Sequence, residues 1–306
     1  MIIAIDGGTT NTRLTLVDKG VILDRIKKKV GARSGGGELK TAVREGIAEL
    51  FGKNPGAAGK VSKIVLSGMI GSESGLCEIP HIVAPAGVKE LRKSLVTVKM
   101  PEVTELPLVF IPGVKTFSDP KEKPLSELDI MRGEETELCG IMSEIGARRA
   151  LVLLPGSHMK IIETDSEGRI ISFRTSISGE LSRAAAENTI LSRSIGGVFP
   201  ASMDAEYLRN GFEYAKAHGI GEALFKVRVQ GNFLGVGPEK LYAFLLGAIL
   251  RDDVRSLPSG GNPVVIAGSE PFRSAFDRLI EGEKIIIDDK ISETAAAIGA
   301  EIIAGE

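Results

Sequence analysis

Two α/β domains built on one plan are predicted, and three observations predict them. An apolar run, Met1 to Ile5, ends in Asp6-Gly7-Gly8-Thr9-Thr10. A second apolar run, Ala150 to Leu154, ends in Pro155-Gly156-Ser157-His158. Each is followed at once by further strand-like segments, so the second half restarts the pattern of the first. Length alone also fits a single doubly wound sheet; the repeated strand-turn-strand unit favours duplication.

The elements follow in order. Residues 2–6, 12–18 and 21–29 read as three strands, the third of mixed character. Glu38 to Phe51 carries Leu39, Ala42, Val43, Ile47 and Leu50 at helical spacing, and Asn54-Pro55-Gly56 ends it. Ile64-Val65-Leu66 is a buried strand running into the loop Ser67 to Gly75, and Leu106 to Ile111 is another strand. Phe117 to Leu125, with Asp119-Pro120 and Lys123-Pro124, reads as an exposed loop near a hinge. A helix over Glu134 to Ile145 starts with acids that suit its dipole. In the second half, strands are expected at 150–154, 160–164 and 169–173, with a turn at 165–168 between the last two. Helices are expected through much of 179–256, strands at 263–267 and 284–287, and a closing helix from Ser292 to Ile303. The expected division is 1–133 for the first domain and 134–289 for the second, with the closing helix at 290–306 packing back on the first.

Composition narrows the class. The chain has 306 residues, 43% hydrophobic and 25% charged, which is ordinary for a globular protein. A net charge of -2 offers no basic field for nucleic acid or an anionic membrane. The longest apolar stretch, Leu241 to Leu250, is too short to span a bilayer, and Asp6 interrupts anything resembling a secretory leader. Two cysteines without a Cys-x-x-Cys pattern argue against a disulfide framework or a zinc site and fit a reducing cytoplasm. The oligomeric state is left open, a homo-oligomer included.

Three glycine-hydroxyl turns follow apolar strands, at 7–10, 156–157 and 268–269. Ligands of open α/β sheets bind at the carboxyl ends of strands, so these turns point to a nucleotide. Backbone N–H groups of Gly7, Gly8, Thr9, Thr10 and Asn11 can meet phosphate oxygens, and the Asp6 carboxylate can hold Mg²⁺. A plain Asp-Gly hairpin turn is the bland reading of the first of these. Neither Gly-x-x-x-x-Gly-Lys-Ser/Thr nor Gly-x-Gly-x-x-Gly occurs, which disfavours P-loop and dinucleotide folds. The run Met131-Arg132-Gly133-Glu134-Glu135-Thr136 sets an arginine and two carboxylates at a helix start. A carboxylate there can take a proton from a hydroxyl, and the arginine can pair with a substrate anion. The bland reading is an acidic helix N-terminus.

These residues carry a resemblance. Asp6 to Arg13 resembles the first phosphate motif of the acetate/sugar kinase, Hsp70 and actin superfamily. More narrowly, Gly68-Met69-Ile70-Gly71-Ser72, Arg132 to Thr136, Leu154-Pro155-Gly156-Ser157-His158-Met159-Lys160 and Ser178-Gly179-Glu180-Leu181 stand in the order of the 2-dehydro-3-deoxygalactonokinase family. The resemblance implies two RNase H-like (actin/hexokinase-type) α/β domains with a nucleotide cleft. It also implies ATP- and Mg²⁺-dependent phosphorylation of the 6-hydroxyl of a 2-keto-3-deoxy sugar acid. Glu134-Glu135-Thr136 resembles the hexokinase Asn-Asp-Thr segment, which implies Glu135 as base and Glu134 as substrate contact. Asp6 would organise the metal, with Arg13 near the transferred group. Gly156, Ser157 and His158 would close on the phosphates, and Gly268 and Ser269 would back the adenosine. Gly68, Met69, Ser72, Glu73, Gly133, Gly179 and Glu180 would face the sugar acid, with Arg132 or Lys160 on its carboxylate. His158 also reads as an ordinary turn histidine and Lys160 as a solvated strand residue. Two positions depart from the pattern. Glu73 and Leu76 stand where the family usually has an arginine and an aromatic. Pro155 stands where much of the superfamily has an aspartate, a trait shared by the galactonokinase-like proteins. Other readings are a different kinase of the superfamily, or a nucleotide-gated regulatory protein with slow ATPase activity.

Overall fold

The computed structural model describes residues 1–200, 202–258 and 261–305. The backbone divides into two units. The first comprises Met1–Arg149, Glu163–Phe173 and Lys290–Glu306; the second comprises Ala150–Ile162 and Arg174–Asp289.

The first unit contains β1 (Ile2–Gly7), β2 (Thr12–Asp18), β3 (Val21–Lys28), α1 (Gly36–Lys53) and β4 (Ile64–Gly68). There follow β5 (Ile82–Val83), α2 (Val88–Lys93), β6 (Val96–Met100), β7 (Thr104–Phe110), β8 (Val114–Lys115), β9 (Ile130–Met131) and α3 (Glu134–Ile145). Its main sheet has the order β3-β2-β1-β4-β7-β6. β1 runs antiparallel to β2 and parallel to β4, and β4 runs parallel to β7. The apolar stripe of α1, Leu39, Val43, Ile47 and Leu50, is buried in one cluster with Ile3, Ile5, Leu14 and Leu16 of the sheet. Each such side chain contributes about 1.5–3 kcal/mol on burial. β5, β8 and β9 form a separate small sheet. The sequence gives no sign of it, because two-residue strands show no period.

The second half of the chain repeats the plan. β10 (Ala150–Leu154), β11 (Met159–Thr164) and β12 (Ile170–Ser176) precede α4 (Ser178–Asn188), α5 (Ser192–Ile195), α6 (Ala205–His218), α7 (Ile220–Phe233) and α8 (Pro238–Arg255). β13 (Val264–Ile266), α9 (Phe272–Leu279), β14 (Lys284–Ile286) and α10 (Asp289–Ala304) complete the chain. The sheet order is β12-β11-β10-β13-β14, the first five positions of the other sheet over again. The run Leu241 to Leu250 lies in α8 and is buried all round, as an uninterrupted apolar helix must be. Among the described residues, no helix is long and apolar enough to cross a membrane.

The division falls after Arg149 where the sequence suggested 133, and helix packing supplies the reason. A Cβ at Gly140 of α3 would collide with the Ala295 backbone of α10, and one at Gly299 with the Thr136 carbonyl. The two helices touch backbone to backbone, so α3 groups with α10 in the first unit. The closing helix begins at Asp289, ahead of the expected Ser292. Residue 306, in the expected closing segment, lies outside the described residues.

Candidate active site

In the first unit, β1 carries Asp6 to the carboxyl end of an interior strand. The following turn is closed by Gly8 N–H donating to the Asn11 carbonyl at 2.8 Å. It is braced from behind: Ala32 N–H donates to the Gly8 carbonyl and Arg33 N–H to the Thr9 carbonyl. Thr12 is buried, its hydroxyl donating to the Val30 carbonyl at 2.8 Å. Nothing local in the sequence marks residues 30–33 as this brace.

Arg13 faces Asp6 across the β1–β2 ladder, and its Nη1 lies 2.8 Å from Asp6 Oδ2. The resemblance implied Arg13 near the transferred group; here its guanidinium is paired with the acid beside it. The pair is exposed, 55% for Arg13 and 29% for Asp6, so it is weak and readily exchanged.

Two further backbones converge on this turn. Gly68 ends β4 with φ +84, and a Cβ there would lie 2.6 Å from the Gly7 carbonyl. A Cβ at Gly133 would lie 3.1 Å from Gly68 Cα. The phosphate-type turn, the 68–75 loop and the start of α3 are thus brought together. In that loop Ser72 Oγ donates to the Met69 carbonyl at 2.6 Å, while Met69 is half-buried and Glu73 is exposed.

The α3 start sorts its carboxylates. Glu135 is fully buried. Its two oxygens accept from Gly133 N–H at 2.9 and 2.8 Å, and one also accepts from the Thr136 hydroxyl. Burial, reinforced by the Glu134 charge, pushes its pKa up to about 8. Glu134 is half-exposed and accepts from Arg132 N–H at 3.1 Å. Glu137 has no role in the sequence reading. It is half-buried, and burial together with the charges of Asp6 and Glu134 pushes it up to about 8, with Arg13 opposing. Its place one turn after Glu134 was the available signal.

Arg132 is half-buried. Its Nη2 donates to the Ile79 carbonyl at 2.7 Å and sits 3.2 Å from His81 Nδ1. It therefore ties the loop after β4 to β9. Its Nη1 is buried without a hydrogen-bond partner, against Gly71.

In the second unit, Gly156, Ser157 and His158 are exposed after β10. The Gly268 turn packs on Pro155, just before them: a Cβ at Gly268 would lie 2.8 Å from the Pro155 carbonyl. Ser269 next to it is exposed. A Cβ at Gly179 would collide with the Gly156 carbonyl, and Glu180 N–H donates to the Ser157 carbonyl at 3.0 Å. His158 Nε2 lies 3.7 Å from Glu180 Oε1. Lys160 is buried, not a solvated strand residue, and its Nζ donates to the Thr175 hydroxyl at 2.6 Å.

Among the described residues, no three His, Cys, Asp or Glu side chains could hold a metal ion by themselves. Asp6 at a glycine turn nevertheless fits Mg²⁺, which takes one or two carboxylates, keeps water and shares phosphate oxygens.

A family model described as 2-keto-3-deoxy-galactonokinase matches residues 6–302. The chain is 30% identical over 195 residues to a Rhizobium meliloti (strain 1021) protein named probable 2-dehydro-3-deoxygalactonokinase, covering 63% of this chain and 58% of that protein. It is 28% identical over 257 residues to the 2-dehydro-3-deoxygalactonokinase of Escherichia coli (strain K12), covering 83% of this chain and 80% of that one. The fold is shared with a crystal structure from Sinorhizobium meliloti, provisionally named 2-dehydro-3-deoxygalactonokinase. That match has a TM-score of 0.78 at 22% identity and covers 99% of this chain and 98% of the other.

Proposed function

The chain belongs to the 2-keto-3-deoxy-galactonokinase family, and from that premise we propose that it transfers the terminal phosphoryl group of ATP to the 6-hydroxyl of 2-dehydro-3-deoxy-D-galactonate, giving the 6-phosphate. The observation that carries this is the extent of the match, which begins at Asp6 and takes in both phosphate-type turns and the Arg132–Thr136 segment.

Phosphoryl transfer needs alignment and charge neutralisation more than covalent chemistry. Mg²⁺ supplies part of that neutralisation at the phosphates, and Asp6 is its carboxylate on this chain. The backbone from Gly7 to Asn11 meets phosphate oxygens. Arg13, paired with Asp6, adds a positive charge beside that carboxylate. In the second unit, Gly156, Ser157 and His158 meet the phosphates and Gly268 with Ser269 backs the nucleoside.

Glu134 is the base in this proposal, with Glu135 as its buried support. A base must reach the hydroxyl it deprotonates. Glu134 is half-exposed, whereas Glu135 is sealed and, with a pKa of about 8, is held mostly protonated at pH 7. Glu135 instead fixes Gly133, at φ +114, and so the direction in which Glu134 leaves the helix. Arg132 is the substrate-carboxylate partner, because Nη1 is its spare donor; the Gly71 turn covers that nitrogen and must move for it to engage. Lys160 is committed to Thr175. The proposed setting is the cytoplasm, where ATP and free thiols coexist.

A coupled ADP-release assay over 2-keto-3-deoxy sugar acids and neutral hexoses tests the proposal. Turnover should appear with the galactonate-type acid and stay at background with hexoses. Equal turnover of a neutral hexose would refute the sugar-acid assignment.

A further inference from the structure

Asp253 lies outside both phosphate-type turns and the α3 start. It sits near the end of α8, only 5% exposed, and its Oδ2 is buried with no hydrogen-bond partner. A buried carboxyl is costly unless its geometry is in use. The carboxyl lies beside the hydroxyls of Ser176 and Ser178, which are 2.8 Å apart. Ser176 ends β12 and Ser178 opens α4. The same junction is clasped a second time: Arg174 Nη2 donates to the Ser256 carbonyl, while Ser256 Oγ donates to the Asp253 carbonyl at 2.7 Å.

The residue after Ser178 is Gly179, whose backbone touches Gly156, and the next is Glu180, which donates to Ser157. The α4 start is therefore the back wall of the 156–158 turn. Moving it by a fraction of an ångström moves that turn, because Gly179 has no clearance from the Gly156 carbonyl.

We infer that Asp253 is a positioning residue for nucleotide binding: through Ser176 and Ser178 it sets the α4 start, and through Gly179 the phosphate turn at Gly156 and Ser157. The inference rests on the proposed kinase reading, in which that turn meets ATP.

The test is calorimetric titration of ATP with Mg²⁺, and separately of the sugar acid, into the full chain. Asp253→Ala should weaken ATP binding about tenfold, the scale of one hydrogen bond to a charged group, and leave sugar-acid affinity unchanged. Asp253→Asn keeps an acceptor for one serine and should restore most of the loss. Ser178→Ala, a milder change that leaves the carboxyl in place, should weaken ATP in the same direction. Unaltered ATP affinity in folded Asp253→Ala, or in Ser178→Ala where the first does not fold, overturns the inference. So does an equal loss for ATP and sugar acid. A wild-type chain that binds no ATP overturns the kinase reading and this inference together, whereas ATP binding by wild type with silent variants sinks only the inference.

Discussion

The turn after β1 and the turn after β10 hold the same place in two sheets of the same strand order, yet they carry opposite chemistry. The first is acidic. Asp6 stands in its own strand end, and α3 adds Glu134 and Glu137, the latter pushed up to about 8 by burial together with the charges of Asp6 and Glu134. The second has no carboxylate in the turn itself: Gly156, Ser157 and His158 are exposed, and the strand that follows carries a buried Lys160. Both are fixed in the same way, by a glycine of a later segment lying against the turn backbone, Gly68 on Gly7 and Gly179 on Gly156. A duplicated scaffold thus fixes where backbone donors point and leaves side-chain charge free to diverge. On the kinase reading, the first turn handles metal and proton, and the second holds the nucleotide.

That contrast can be broken most severely at Asp6. Asp6→Ala should take turnover to assay background with the fold intact, because the carboxylate is at the surface and its partner Arg13 is exposed. Wild-type rates at limiting Mg²⁺ in a folded variant would remove the first turn from the chemistry.

The next effect belongs to the α3 carboxylates. Glu134→Gln should lower kcat by about 10²–10⁴-fold with little change in KM, the scale of a lost general base. Glu135→Gln should cost far less, since the wild-type side chain is already largely protonated at pH 7. The reverse ranking in steady-state kinetics would return the base to Glu135, as the hexokinase-like alignment implied.

In the second unit the expected signature changes from kcat to KM. Gly179→Ala forces a methyl into the Gly156 carbonyl, so KM for ATP should rise about tenfold or more while KM for the sugar acid holds. A kcat loss at unchanged KM for ATP would erase the division of labour between the turns.

A smaller effect is expected at Arg132. Arg132→Ala should raise KM for the sugar acid by about tenfold, the scale of one charged hydrogen bond. Any residual rate with a neutral hexose should be unaffected. Equal losses on both substrates would limit Arg132 to tying Ile79 and His81 in place.

The smallest is a slope. The folded pKa of Glu135, about 8, exceeds its ordinary 4.5, so the folded chain keeps a proton that the unfolded chain releases. Stability contributed at this site is full below about pH 4.5 and falls as pH rises toward about 8. Glu135→Gln lacks that loss, and its Tm should gain on wild type between pH 5 and 8. Parallel Tm–pH curves would deny the buried proton.

Much of this was legible in the chain. Apolar runs ending in Gly-hydroxyl turns located β1, β10 and β13, and the period of Leu39, Val43, Ile47 and Leu50 located α1. The start of α3 at Glu134 was also visible, because glycine and acids mark a helix N-terminus. What escaped was non-local. No sequence rule pairs Gly8 with Ala32, Arg132 with Ile79, or Ser178 with Asp253.

The sequence by itself determined the duplicated α/β plan, the three turns and the residue types at them, because strand period, turn glycines and helix caps are local properties. Only the tertiary structure decided how adjacent residues divide their work. Glu134 and Glu135 are neighbours with the same side chain, yet one turns outward and the other is sealed against Gly133. Arg13 and Arg132 carry the same guanidinium, yet one rests in the open on Asp6 and the other is partly buried beneath the Gly71 turn. The physical reason is desolvation: it depends on which distant backbones close over a group, and it sets both reach and protonation.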